Sequence, residues 1–343
     1  MKRREFITLL GGAAAWPFAA HAQQGDHIRR IAMLAGFDDP DMKVFQQELQ
    51  RLGWWEGRNI HIDYRYAPAG AHQEQALAKE LIALQPDVIF AQSQLVTAAL
   101  RKETQTIPIV FTFVIDPVGA GFVTSIPRPG GNITGISAYE PSVIGKWLEM
   151  LKEIAPKTKR VALLGNPKTT PYFDYLLNAA EAAALSFGIE VIATYIENDS
   201  SDIERAIAAF ASTPNGAVAV LPESTTMLNH NLIIALVARH GLPAVYTGRI
   251  LVAAGGLMSY GFIFADQYRQ AAYYIDKILH GAKPSDLPVQ SPTRYVTALN
   301  LKAAKALGLT VPAVIPVAAD EVIEQARRLL HLLTAACDTS RTS

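Results

Sequence analysis

Short apolar runs alternate along the chain with stretches whose apolar residues recur every three or four positions. Ile31-Ala32-Met33-Leu34 ends at Gly36 and predicts a first strand. Asp39-Pro40 then pairs a helix-capping residue with a proline suited to a first helical turn. Met42, Phe45, Leu49 and Leu52 follow at helical spacing, and Gly53 stops them. Ile60, Ile62, Tyr64 and Tyr66 alternate with His61, Asp63 and Arg65, the pattern of a half-buried strand. A helix over 73–84, a strand over 87–91, a helix over 95–104 and a strand over 109–112 complete a first series.

A second series begins near Arg160. It predicts a strand over 161–164, a helix over 172–187 closed by Gly188, and a strand over 189–195. Ser201 and Glu204 form a capping box for a helix running to Phe210. A strand over 217–221, a helix over 227–240 stopped by Gly241, and a strand over 244–246 follow. The repeated order predicts an α/β fold: two Rossmann-like lobes with parallel sheets and helices on both faces. The remaining chain adds a strand over 257–260, a helix over 266–280, a strand over 294–299 and a terminal helix over 320–333. These pieces complete the two lobes and make the chain cross between them more than once, a multi-strand hinge. The expected division is 23–137 with about 260–290 in the first lobe, 138–259 with about 291–334 in the second, and a tail at 335–343.

The N-terminus reads differently. Lys2, Arg3 and Arg4 precede a short apolar run over 7–15, and Ala20-His21-Ala22 offers small residues at a cleavage site. Residues 1–22 are therefore expected to be a secretory signal peptide, with a run too short to span a bilayer. Arg3-Arg4 before Glu5-Phe6-Ile7 fits a twin-arginine signal as well as an ordinary secretory one. No later stretch is long and apolar enough to cross a membrane, so the expectation is a soluble periplasmic protein. The 343 residues hold 31 basic and 31 acidic side chains. Losing Lys2, Arg3, Arg4 and Glu5 leaves a net charge of −2, which gives a polyanion no field to follow and argues against a nucleic-acid partner. Cys337, the single cysteine, allows no internal disulfide and no lipid anchor behind the cleavage site.

Ligands of open parallel sheets bind beyond the carboxyl ends of the strands, so the residues following each strand are the candidates. In the first lobe these are Phe37 and Asp38, then Ser93 and Gln94, then Asp116. In the second they are Asn166 and Thr170, then Glu223 and Ser224, then Tyr246. Helix N-termini near Ser93, Thr170 and Ser224 suit a ligand carboxylate. Asp116 or Glu223 suits a ligand ammonium, and Phe37, Tyr139, Tyr246 or Tyr260 suits a ring or aliphatic chain. Each residue also has a plainer role. Asp39, Ser93, Thr170 and Ser224 can simply cap helices, Asp116-Pro117 can be a turn, and Tyr246 and Tyr260 can be core.

Catalytic and metal motifs are missing. No HxxxH, HExxH or cysteine cluster supports a metal, no GxGxxG follows the first strand, and no GxxxxGK[ST] or GxSxG occurs. No catalytic residue, metal or cofactor is expected.

Several longer strings carry a family resemblance. They are Leu-Gly-Trp-Trp-Glu-Gly-Arg-Asn at 52–59, Ile-Pro-Ile-Val-Phe at 107–111 and Asp-Pro-Val-Gly-Ala-Gly-Phe-Val at 116–123. Arg-Pro-Gly-Gly-Asn-Ile-Thr-Gly at 128–135, Ala-Gly-Gly-Leu-Met-Ser-Tyr-Gly at 254–261 and Ala-Lys-Ala-Leu-Gly-Leu-Thr-Val-Pro at 304–312 complete the set. With these the chain resembles the substrate-binding proteins of bacterial ABC transporters whose best-described members bind tryptophan or tyrosine. The resemblance implies a type I periplasmic binding fold with three interlobe crossings. It also implies a small molecule held in the cleft and hand-over to permease and ATPase subunits, and it carries over Ser93, Asp116, Asn166, Glu223 and Tyr246 as ligand contacts. Gly165, the stretch 222–226 and the stretch 245–249 depart from the pattern, so ligand identity is not carried over. A monomer is expected. A sensor that presents its ligand to a membrane receptor, and less so an exported enzyme, are the alternative readings.

Overall fold

The computed structural model describes residues 28–36, 39–67, 73–140, 142–197 and 199–324. The expected signal peptide, Phe37, Asp38, the end of the terminal helix and Cys337 lie outside these residues.

Two sheets form, each with helices on both faces. The first holds five strands in the order β2-β1-β3-β4-β5, all parallel. They are β1 (Arg29–Ala35), β2 (Ile60–Tyr66), β3 (Val88–Gln92), β4 (Ile109–Val114) and β5 (Ile133–Ser137). Side chains alternate across a strand, and β1 shows the consequence. Ile31 and Met33 pack with Phe45 and Leu49 of helix α1 (Met42–Arg51), whereas Ala32 and Leu34 pack on the opposite face with Ala78 and Leu81 of α2 (Glu74–Ala83) and Val96 and Leu100 of α3 (Gln94–Glu103).

The second sheet has the order β12-β11-β10-β9-β8-β6-β7. Its strands are β6 (Arg160–Gly165), β7 (Glu190–Tyr195), β8 (Gly216–Val220), β9 (Ala244–Tyr246), β10 (Met258–Phe262), β11 (Tyr295–Asn300) and β12 (Glu321–Ile323). All pairings are parallel except β10 with β11. Val161 and Leu163 face Trp147, Leu148 and Leu151 of α4 (Ser142–Ile154) and Leu176 of α5 (Phe173–Ala184). Ala162 and Leu164 face Ile203 and Ile207 of α6 (Ser200–Ala211). The same outer face takes Ile233 and Val237 from the helix His230–Arg239.

Three connections join the sheets. β5 leads into α4. β10 leads into the helix Phe264–Leu279, whose Tyr268, Ala271, Ala272 and Ile275 return to the first sheet's core. Gln290 then bridges Ile136 of β5 before the chain re-enters the second sheet as β11.

Two local expectations change. The predicted terminal helix does not begin at Asp320: Glu321–Ile323 is a strand paired with β11, an edge that the short Glu-Val-Ile run completes. The capping box also moves. Asp199 caps α6 by accepting from the Ser201 N–H at 3.1 Å, because its extended backbone aims the carboxylate back at the first turn.

One irregularity shapes the edge of the first sheet. Phe111 pairs with Gly135 and Val114 with Ser137, so β4 carries one extra residue, and Phe113 takes φ +58°. The bulge needs a glycine opposite it. A Cβ on Gly135 would lie 2.2 Å from the Phe111 carbonyl oxygen and 2.6 Å from its nitrogen, both backbone atoms with no freedom to yield. Gly135→Ala is therefore expected to cost at least about 1–3 kcal/mol, the range for overpacking, read as a lower urea midpoint. An unchanged midpoint would mean that the bulge does not depend on this close approach.

Candidate functional site

A cleft, partly open to solvent, lies between the carboxyl ends of the two sheets. Its first-lobe wall is Ser93, Gln94 and Leu95 at the start of α3, with Phe113 and Ile115 at the end of β4. Ala138 and Tyr139 come from the first crossing, and Phe262 and Phe264 flank the second. The second-lobe wall is Thr169, Tyr172, Pro222, Glu223, Ser224, Met227 and Thr247.

The apolar part is an aromatic bank. Phe262 and Phe264 stack at 5.1 Å between centroids. Phe113 lies 5.8 Å from Phe262 and 5.0 Å from Phe264, and Tyr139 lies 4.9 Å from Phe262. Tyr139 donates to the Thr247 carbonyl at 2.8 Å and Tyr172 to the Pro222 carbonyl at 2.7 Å. Burial pushes both phenols well above their ordinary range, so they stay neutral.

The polar part has two centres. At the first, the Ser93 side chain does not cap α3, and Ser93, Gln94 and Leu95 at the helix start line the cleft. Gln94 accepts from the Ile115 N–H at 3.2 Å, which ties this turn to the end of β4. At the second, Glu223 is 5% exposed and caps the short helix Ser224–Leu228. Its Oε2 accepts from the Thr225 N–H and from the Thr169 hydroxyl, each at 2.6 Å. Its Oε1 accepts from the Thr226 N–H at 2.8 Å. Asn166 reinforces the cluster by donating to Thr225 Oγ1 at 3.0 Å. Burial raises the Glu223 carboxyl above its ordinary value, and these hydrogen bonds pull it back only in part. Among the described residues no lysine, arginine or histidine lines the cleft.

Of the residues singled out from sequence, Ser93, Gln94, Tyr139, Glu223 and Ser224 meet in this cleft. Five others lie off it. Asp116 sits in a turn at φ +50° and accepts from the Gly119 N–H at 2.8 Å. Asn166 acts behind Glu223 through Thr225. Thr170 is buried with its hydroxyl unpartnered, and the neighbouring Thr169 faces the cleft instead. Tyr246 points to the outer face of the second sheet, because a strand sends residues 246 and 247 to opposite sides, and Thr247 takes the cleft position. Tyr260, half-buried two residues before Phe262 on β10, stacks on Tyr295 at 5.3 Å. The capping expectations shift as well: neither Ser93 nor Thr170 caps, and Glu223 rather than Ser224 caps the helix after β8. Phe113, Phe262 and Phe264 escaped the sequence reading, although each stands at or just beyond the end of an apolar strand run.

The raised carboxyl gives a signed pH dependence. A carboxylate whose folded value lies above its unfolded value, ordinarily 4.5, stabilises the fold fully only below 4.5. That contribution is lost as pH rises through the folded value. Urea titrations from acid to neutral pH should therefore show Glu223→Gln gaining on the wild type as pH rises above 4.5. Parallel curves would contradict a buried, burial-shifted Glu223.

The comparisons with known proteins agree with this geometry. Residues 38–323 match the family model described as ABC transporter substrate binding protein. The chain is 28% identical over 272 residues to the tyrosine-binding protein of Clostridioides difficile (strain R20291), covering 79% of this chain and 77% of that one. It aligns with a solved ABC domain in complex with L-Trp from Streptococcus pneumonia at TM-score 0.80 and 23% identity, covering 86% of this chain and 99% of that one. A ligand-free, open substrate binding protein with adhesive properties from Clostridium difficile aligns at TM-score 0.65 and 23% identity, over 87% and 100%. The sheets, the cleft and the family match together make this chain a member of the ABC transporter substrate binding protein family.

Proposed function

We propose that the protein is an exported receptor. It captures a small molecule, an amino acid or another small carboxylate or aromatic compound, in the interlobe cleft and delivers it to the permease and ATPase of an ABC transporter. The observation that carries this reading is the combination of groups around one space. A helix N-terminus that the Ser93 side chain leaves open, the buried Glu223 carboxylate and an aromatic bank line it together. Zwitterions bearing a ring have a complement for each. The carboxylate accepts from the N–H groups of α3 and the Ser93 hydroxyl. The ammonium pairs with Glu223, and the ring packs on Phe113, Phe262 and Tyr172.

The relatives support the aromatic amino-acid reading, since one is named for tyrosine and another holds L-Trp. The better fit to that complex than to the open, ligand-free relative supports reading the present arrangement of the sheets as the closed one. Closure follows if a ligand contacting both walls binds the closed form more tightly than the open one. An extracytoplasmic place fits the family. Among the described residues no helix is long and apolar enough to cross a membrane.

Calorimetric titration of ligand-stripped protein with L-tryptophan, L-tyrosine and a panel of small carboxylates tests the proposal. Saturable binding of one class without its consumption is expected. Glu223→Gln should weaken an ammonium-bearing ligand by about 1.5–3 kcal/mol, the range for a charged hydrogen bond. No heat from any compound, or conversion of one, would contradict a receptor for this class.

A further inference from the structure

Ser93 holds φ +118° and ψ 163°, a backbone region occupied almost only by glycine. Its own contacts are few. Its N–H donates to the Thr112 carbonyl at 3.1 Å, and its carbonyl accepts from the Thr97 hydroxyl at 2.7 Å. The residue before it is held more elaborately. Gln92 is fully buried, and its Oε1 accepts from the Gly36 N–H at 3.1 Å while its Nε2 donates to the Tyr268 hydroxyl at 2.6 Å. That hydroxyl donates in turn to Asp39 Oδ2 at 2.8 Å, and Asp39 Oδ1 accepts from the Asp41 N–H at 2.9 Å. The fit is close: a Cβ built on Gly36 would lie 2.6 Å from Ser93 Oγ.

This chain of bonds joins the end of β1, the end of β3, the start of α1 and the helix Phe264–Leu279. That last helix begins at a cleft residue, just past the second crossing. The Tyr268 ring also backs the cleft, 5.5 Å from the Phe113 ring. A phenol suits the centre of such a network. Its one oxygen accepts from an amide and donates to a carboxylate at the same time, on a ring that otherwise packs as phenylalanine would.

We propose that the Tyr268 hydroxyl is a positioning group: through Gln92 and Asp39 it fixes the strained Ser93 turn at the ligand and ties that turn to the helix of the second crossing. The proposal rests on the reading of the Ser93 turn as a ligand contact. Tyr268 and Gln92 touch the site only through their neighbours.

Tyr268→Phe keeps the ring and removes both bonds. Residue-resolved hydrogen exchange of the ligand-free protein reads the result. The Gly36, Asp41 and Ser93 amides should exchange about tenfold faster or more, while amides of β8 in the second sheet hold near their wild-type rates. Unchanged rates at those three amides, or equal acceleration through both sheets, would overturn the proposal. A second arm measures L-tryptophan affinity. Binding by the wild type with about tenfold loss in Tyr268→Phe supports positioning, and equal affinity in the two overturns it. If the wild type ignores L-tryptophan, the ligand reading fails, and the exchange arm still decides whether the network holds the turn.

Discussion

A parallel sheet leaves the turns at its carboxyl edge without strand partners, and a molecule built from two such sheets must decide what those edges face. Here they face each other. Three crossings hold them so, and the aromatic residues at the crossings set the spacing. Phe262 and Phe264 stack across the second crossing, Tyr139 reaches from the first, and Phe113 meets them from the bulged end of β4. Packed rings at a hinge do two jobs. They bury apolar surface where the chain crosses between the lobes, and they leave an apolar wall along the cleft.

Electrostatics then narrows what that wall can accept. Among the described residues the cleft has one carboxylate, Glu223, and no cationic side chain. Backbone N–H groups at the start of α3, which the Ser93 side chain does not cap, carry the partial positive charge of a helix N-terminus. Strain concentrates at the same place: Ser93, Phe113 and Asp116 hold positive φ at or beside the first-lobe wall. Such backbone persists only where neighbours over-determine it, and the buried Gln92–Tyr268–Asp39 network does so at Ser93.

Much of the fold was legible because both series of strands and helices obey simple periods. Ile31 to Leu34 divide between two faces as an alternating strand requires, and Phe45 and Leu49 fall on one side of α1. Less of the cleft was legible. Reading the residues after each strand found Ser93, Gln94, Glu223 and Ser224. It could not tell Tyr246 from Thr247, since one residue of register decides which face of the sheet a side chain meets. Phe113 depends on a bulge, which no local pattern announces. Tyr268 and Gln92 are 176 positions apart, and only the folded chain brings their polar atoms together. The expected start of the terminal helix at Asp320 differs for another reason. Glu321–Ile323 has an open sheet edge beside it, and tertiary pairing outweighs helical spacing there.

Small-angle scattering of the ligand-stripped protein, before and after saturation with the ligand identified by titration, tests the central claim most directly. The account predicts that the ligand-free protein is more extended than the structure described above and that the saturated protein matches it. Identical scattering in the two states, at ligand concentrations where binding is complete, would contradict capture by closure of the two lobes.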